Sequence, residues 1–200
     1  LTGKVLVGTQ ALAANLADRA INSDNLEDYW DSLTNNEMMT VDQRINRLHS
    51  VIDSAQLKED DSWLSPEIDG TFNFDTPAEI MQALENSGSP WAMETLQVLE
   101  KRSPLMLHVS LRQIRLGRHM TLADELRLER TLVQHCFYMH HLKRTGAQTE
   151  TVEGIRALVI DKDHSPAWNP TCIEDVSTEM VDPFFVSPWA EPDHPLADLN

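Results

Sequence analysis

Thirty residues decide how this chain folds: TPAEIMQALENSGSPWAMETLQVLEKRSPL, Thr76 to Leu105. Three times a hydroxyl residue stands directly before a proline, at Thr76-Pro77, Ser89-Pro90 and Ser103-Pro104. Each pair reads as a helix start. The hydroxyl can accept a first-turn backbone N–H, and proline suits the first helical position because its missing N–H has no helical partner there. Glu79, three residues after Thr76, completes a capping box. Ile80, Met81 and Leu84 then supply a buried face, and Gly88 supplies a stop. Trp91, Leu96 and Leu99 point inward from the second helix, and the third runs from Pro104 to about Gly117.

Towards the C-terminus, Thr121 with Asp124 opens the longest helix, expected to reach about Leu142. Leu122, Leu126, Val133 and Phe137 share one face, and Leu128, Leu132, Met139 and Leu142 another. A helix apolar on two sides is expected to lie between neighbours. KRTGAQTE breaks the pattern, and a further helix is expected from about Thr151 to Ile160. The proline-rich tail should wrap the surface, pinned by Trp168, Phe184, Phe185 and Trp189.

Towards the N-terminus, Thr9 is the expected cap of a helix reaching about Leu16. Asp24 with Glu27 has capping-box spacing before Leu26, Trp30 and Leu33. Thr40 with Gln43 repeats it before Val41, Ile45, Leu48 and Ile52. Lys58 to Ser65 reads as a loop, and no alternating strand pattern is clear beyond the first twenty residues. The fold class is therefore mainly α.

The chain has 200 residues and a net charge of −16, which argues against nucleic acid and anionic membrane as partners. No apolar run reaches the roughly 18 residues of a membrane span. Residues 1–100 carry 5 basic and 18 acidic groups, residues 101–162 carry 11 and 6, and residues 163–200 carry none and 8. The locally positive middle could meet an anionic ligand or pair with the acidic segments around it. Cys136 and Cys172 form no disulfide framework and suit a reducing compartment.

Candidate chemistry is sparse. Cys136 and His140 stand four apart beside His135 and His141, but no third ligand has matching spacing, and no metal is expected. Glu129 falls on an apolar face between Leu126 and Val133 and reads as a general acid or as one half of an ion pair with Arg112. GxSxG, GxGxxG and GxxxxGK[ST] are absent. On residues alone, the chain presents no self-contained active site, so no catalytic residue is assigned within it.

Four stretches carry a resemblance: FDTPAEIMQAL, SPLMLHVSLRQIRLG, TLADELRLERTLVQHC and EGIRALVIDKDHSPAW, in that order between about Phe72 and Phe185. Together they resemble the 3-hydroxyisobutyryl-CoA hydrolase family of the enoyl-CoA hydratase/isomerase (crotonase) superfamily. The opening LTGKVLVGTQALAANLAD resembles that superfamily's Leu-Thr-Gly segment, with Asn15 where glycine is usual. It begins in mid-pattern rather than with methionine, which suggests a piece of a longer protein.

The resemblance implies the helical C-terminal part of an α/β fold whose spiral β-core, oxyanion donors and catalytic acids lie upstream of Leu1. Residues 1–70 would end that core and connect to it, 71–162 would be the helical region, and 163–200 an irregular tail. The implied reaction is hydrolysis of a small branched hydroxyacyl-CoA thioester of valine breakdown, with coenzyme A part of the substrate and no separate cofactor. A hydratase or isomerase of the superfamily is an alternative. So is a non-catalytic relative built into an assembly such as a mitochondrial ribosome.

Related proteins hold the adenosine end of coenzyme A with an aromatic residue and a lysine at a helix end. Leu158 stands in the aromatic position, and Lys162 matches the lysine with one extra residue between. Lys162 could equally neutralise the helix end and its neighbours Asp161 and Asp163. The implied partners are the missing half or a partner chain, and a second copy of the chain. The implied compartment is the cytoplasm of a bacterium or the mitochondrial matrix of a eukaryote.

Overall fold

The computed structural model describes residues 1–34, 39–53 and 60–199. Its regular elements are all helical among the described residues, with no strand. The chain divides into two compact units, Gly3–Pro66 and Leu1–Thr2 with Glu67–Asn200.

In the unit Gly3–Pro66, α1 spans Gly8–Ala13. Val7, not Thr9, is its cap residue, because the Gln10 side chain reaches back to accept the Val7 N–H at 3.3 Å. The helix stops two residues before Leu16, at Ala14, and Asn15 takes the left-handed conformation at φ 54°. Leu16 N–H donates to Ala11 O and Asn15 N–H to Leu12 O, both at 2.9 Å, the paired bonds of a Schellman end. Asparagine tolerates the left-handed region better than other side chains, so it replaces the expected glycine without losing the stop.

Helix α2 spans Leu26–Thr34 behind a short 3₁₀ turn, Ser23–Asn25. Asn22 rather than Asp24 caps that turn, accepting Asp24 N–H at 3.0 Å. Tyr29 is buried, while Trp30, which shares a helical interval with Leu26 and Leu33, is 65% exposed. Helix α3 spans Val41–Asp53 and keeps its expected box: Gln43 N–H donates to Thr40 Oγ1 at 3.3 Å and Thr40 N–H to Gln43 Oε1 at 3.0 Å. Val41 and Ile45 are nonetheless exposed. The side chains of Leu33, Leu48 and Ile52, and residues 58 and 59 of the expected loop, lie outside the described residues.

The second unit opens with α4 (Ile68–Phe72), α5 (Pro77–Ser87), α6 (Pro90–Leu99) and α7 (Pro104–Gly117). All three hydroxyl-proline starts form. Thr76 accepts Glu79 N–H at 3.2 Å, Ser89 accepts Ala92 N–H at 3.1 Å, and Ser103 accepts Met106 N–H at 3.2 Å. Gly88 ends α5 at φ 62°, a conformation costly for any residue with a Cβ. Ile80, Leu84, Ala92, Leu96, Leu99, Leu107 and Leu111 form one core. Fully burying a side chain such as Leu84 stabilises by about 1.5–3 kcal/mol.

Helix α8 spans Leu122–Phe137, shorter than expected, and His140–Leu142 form a separate 3₁₀ turn. The run from His135 to His141 is made mostly of weak helix formers, and tertiary bonds replace helical ones there. His135 Nε2 lies 2.9 Å from Val186 O and His141 Nε2 3.2 Å from Met180 O. Both imidazoles thus bind tail carbonyls and flank Phe184. Of the two expected apolar faces of α8, the one carrying Leu128 and Leu132 is buried, whereas Leu122, Val133 and Phe137 are exposed.

Leu105, Val109, Leu128, Leu132, Met139, Val181 and Phe184 make a second core. The chain continues through α9 (Glu150–Ile155), a π-turn (Arg156–Ile160), α10 (Thr178–Val181) and a 3₁₀ turn, Asp182–Phe185. Phe184, one of the aromatic residues expected to pin the tail, is fully buried. Arg130 covers the Trp189 ring at 4.9 Å.

Candidate functional site

The site grows from the end of α9. Thr149 caps this helix, accepting Val152 N–H at 3.4 Å. Trp168 lies across its middle: a Cβ on Gly154 would stand 3.3 Å from the indole ring, closer than ordinary contact. The indole N–H donates to Lys101 O at 3.0 Å. Glycine and tryptophan in EGIRALVIDKDHSPAW therefore serve each other, and together they dock the tail on α9.

After Ile155 the helix widens. Asp161 N–H donates to Arg156 O at 2.8 Å, a step of five residues instead of four. Ala157 is buried under the turn, while Leu158, Val159 and Ile160 are 53%, 63% and 67% exposed. Leu158 thus presents an open apolar surface.

Arg156 organises the acids around this turn. Its guanidinium donates to Glu153 at 2.8 Å, Asp161 at 2.7 Å, Asp163 at 2.6 Å and the Ser165 carbonyl at 3.1 Å. These bonds hold the Glu153 and Asp163 carboxyls below the usual carboxylate range, helped by the N–H groups of Ala167 and Ser165, and push the guanidinium pKa upward. The reading in which Lys162 neutralises Asp161 and Asp163 is thereby corrected: Arg156 does so. Lys162 sits at φ 55°, exposed, and forms no ion pair among the described residues. An unpaired ammonium beside an apolar step can receive an anion attached to a flat or apolar group.

Glu129 and Arg112 do not come together. Arg112 pairs with Asp182 at 2.5 Å and covers the Phe185 ring at 4.3 Å, because the tail turns back over α7 there. Glu129 is exposed. Among the described residues the buried carboxylate is Glu150, 4% exposed at the start of α9. It accepts from Ser103 Oγ and from Asn169 N–H at 3.1 Å, with Arg144 3.6 Å away. Burial raises its carboxyl pKa, and the Ser103, Asn169 and Arg144 contacts oppose that rise. In sequence Glu150 is an ordinary first-turn acid, and nothing marks its burial.

Several arginines of the positive segment bind main-chain carbonyls. Arg102 donates to Thr2 O at 2.7 Å and Arg115 to Phe72 O and Phe74 O at 3.0 and 2.9 Å. Arg127 donates to Leu196 O at 3.1 Å and to Leu199 O, and Arg144 to Asn169 O. Among the described residues no cluster of three or more His, Cys, Asp or Glu could hold a metal, and no helix is long and apolar enough to cross a membrane.

Comparison with known proteins fits this picture. Residues 1–185 match the family model described as enoyl-CoA hydratase/isomerase. The mitochondrial 3-hydroxyisobutyryl-CoA hydrolase of Gallus gallus is 32% identical over 92% of this chain and 47% of its own length. The Homo sapiens protein of that name is 30% identical over 94% of this chain and 47% of its own length. The chain thus spans about half the length of the curated relatives it matches. A solved enoyl-CoA hydratase from Rhodobacter sphaeroides superposes with a TM-score of 0.72 at 30% identity, over 94% of this chain and 50% of its own. A family match over nearly the whole chain, on a helical frame shared with a solved member, establishes that this chain belongs to the enoyl-CoA hydratase/isomerase family.

Proposed function

We propose that this chain is the helical C-terminal part of an acyl-CoA thioester hydrolase acting on a small branched hydroxyacyl group, 3-hydroxyisobutyryl-CoA being the substrate to test first. The oxyanion donors and catalytic carboxylates belong, in this reading, to the half of the relatives' length that the chain does not cover. The part offered here is a binding element: Lys162 for a phosphate of the nucleotide and Leu158 for the apolar side of its base. The observation that carries it is the exposed, unpaired Lys162 two residues beyond the π-turn that bears the exposed Leu158. Leucine cannot stack as an aromatic ring can, so the contact with the base is hydrophobic and weak. The complete enzyme would work in a bacterial cytoplasm or a mitochondrial matrix, where a second copy could close the nucleotide site.

A hydratase is the second reading, favoured by the superposition on the Rhodobacter sphaeroides protein. The two reactions leave different products. The complete protein, given 3-hydroxyisobutyryl-CoA, should release free coenzyme A thiol, measured with a thiol-reactive dye. Water addition to an enoyl-CoA without thiol release would replace the hydrolase reading with the hydratase one. Lys162→Ala should raise KM for the acyl-CoA about threefold to fivefold more than KM for the matching acyl-pantetheine, the scale of one exposed ion pair. Equal changes on both substrates would remove Lys162 from the nucleotide site.

A further inference from the structure

Lys162 is flanked in sequence by two carboxylates, Asp161 and Asp163, that are the nearest natural partners for its ammonium. Neither takes it. Both bind Arg156, at 2.7 and 2.6 Å, and the same guanidinium also holds Glu153 at 2.8 Å. The backbone is fixed at the same place: Asp161 N–H bonds to Arg156 O at 2.8 Å and His164 N–H to Ala157 O at 3.1 Å. Between these two bonds Lys162 adopts a left-handed conformation, φ 55°, which a side chain with a Cβ disfavours unless its surroundings impose it. The wide π-turn makes this arrangement available, because it brings residue 161 back over residue 156.

We propose that Arg156 is a positioning residue for the nucleotide end of the substrate: it sequesters the two carboxylates beside Lys162, so that the lysine ammonium stays unpaired and turned outward. This rests on the reading of Lys162 as a phosphate contact. Without Arg156, Asp161 and Asp163 lose the cation that binds them, and either can compete with the incoming phosphate for the neighbouring ammonium. The role is electrostatic as well as geometric, and this separates it from a simple loop brace. A brace would be lost whenever the guanidinium is lost. A sequestering cation becomes unnecessary once the carboxylates are neutral.

The test uses the complete enzyme and two substrates, an acyl-CoA and the matching acyl-pantetheine. Arg156→Met should raise KM for the acyl-CoA about threefold to fivefold more than for the acyl-pantetheine. The Arg156→Met, Lys162→Ala double variant should be no worse than Lys162→Ala alone. Arg156→Met combined with Asp161→Asn and Asp163→Asn should bring KM for the acyl-CoA back towards the unmodified value. The inference is overturned if Lys162→Ala is selective for the nucleotide substrate while Arg156→Met affects both substrates equally. It is also overturned if the triple variant is as poor as Lys162→Ala. Loss of selectivity in Lys162→Ala itself removes the nucleotide reading, and this inference with it. Should Arg156→Met not fold, the triple variant decides alone: acyl-CoA KM near the unmodified value supports sequestration, and KM matching Lys162→Ala ends it.

Discussion

Helices α3 and α5 begin with the same chemistry and end in different surroundings. Thr40 with Gln43 and Thr76 with Glu79 form equivalent reciprocal caps. Both helices carry apolar residues at helical spacing. Yet Ile80 and Leu84 of α5 are fully buried, whereas Val41 and Ile45 of α3 are exposed. A cap is a contract between residues three apart, so it forms wherever the backbone turns into a helix. A buried face needs a second surface, and α5 finds one in α6 and α7. The same division runs through α8, whose Leu128 side is covered and whose Val133 side is not.

The largest test of this contrast is truncation of the two faces. Leu84→Ala should cost about 3 kcal/mol, since it leaves a cavity in a filled core, while Val41→Ala should stay within about 0.5 kcal/mol. Urea denaturation of each variant measures both. A comparable loss for Val41→Ala would mean that the α3 face is covered in solution.

A smaller effect concerns charge within the packed unit. Burial holds the Glu150 carboxyl pKa above its ordinary value. The folded state therefore binds this proton more tightly than the unfolded chain. Its contribution is fully present below the unfolded pKa, about 4.3, and is lost as pH rises through the higher folded value. Acidification from neutral pH should stabilise the protein through this group, by about 1.4 kcal/mol for each unit of elevation. Glu153 and Asp163, whose values are lowered, act in the opposite sense, and their contribution is lost as pH falls through their folded values. Glu150→Gln should abolish the gain on acidification, read from melting temperature against pH. An unchanged profile would show that Glu150 is already ionised and fully compensated.

The smallest expected effect is the one the two regions share. Thr40→Ala and Thr76→Ala should each cost about 1 kcal/mol, the ordinary worth of an N-cap. Hydrogen exchange of the first-turn amides of α3 and α5 would show it region by region. Unequal losses would mean that tertiary packing reinforces one cap.

The three hydroxyl-proline starts were legible because each is settled within four residues. Leu122, on an apolar face expected to be covered, is exposed because periodicity states where a stripe lies and not whether anything faces it. The Arg156–Asp161 pair has no signal in helical periodicity, because residues 156 and 161 do not share a face of a regular α-helix and the π-turn brings them together. Glu150 and Arg112 found partners, Ser103 and Asp182, that lie 47 and 70 residues away.

Five arginines of the positive segment grip carbonyl oxygens: Arg102, Arg115, Arg127, Arg144 and Arg156. Every residue type offers a carbonyl, so such a clasp is blind to the side chain of the segment it secures. Positions such as Leu196 and Leu199 can drift in identity while the C-terminal strap stays fastened to Arg127. At Arg127 the constraint falls on the arginine, because its Nε–H and a terminal N–H reach two carbonyls at once where a lysine brings a single rotating ammonium.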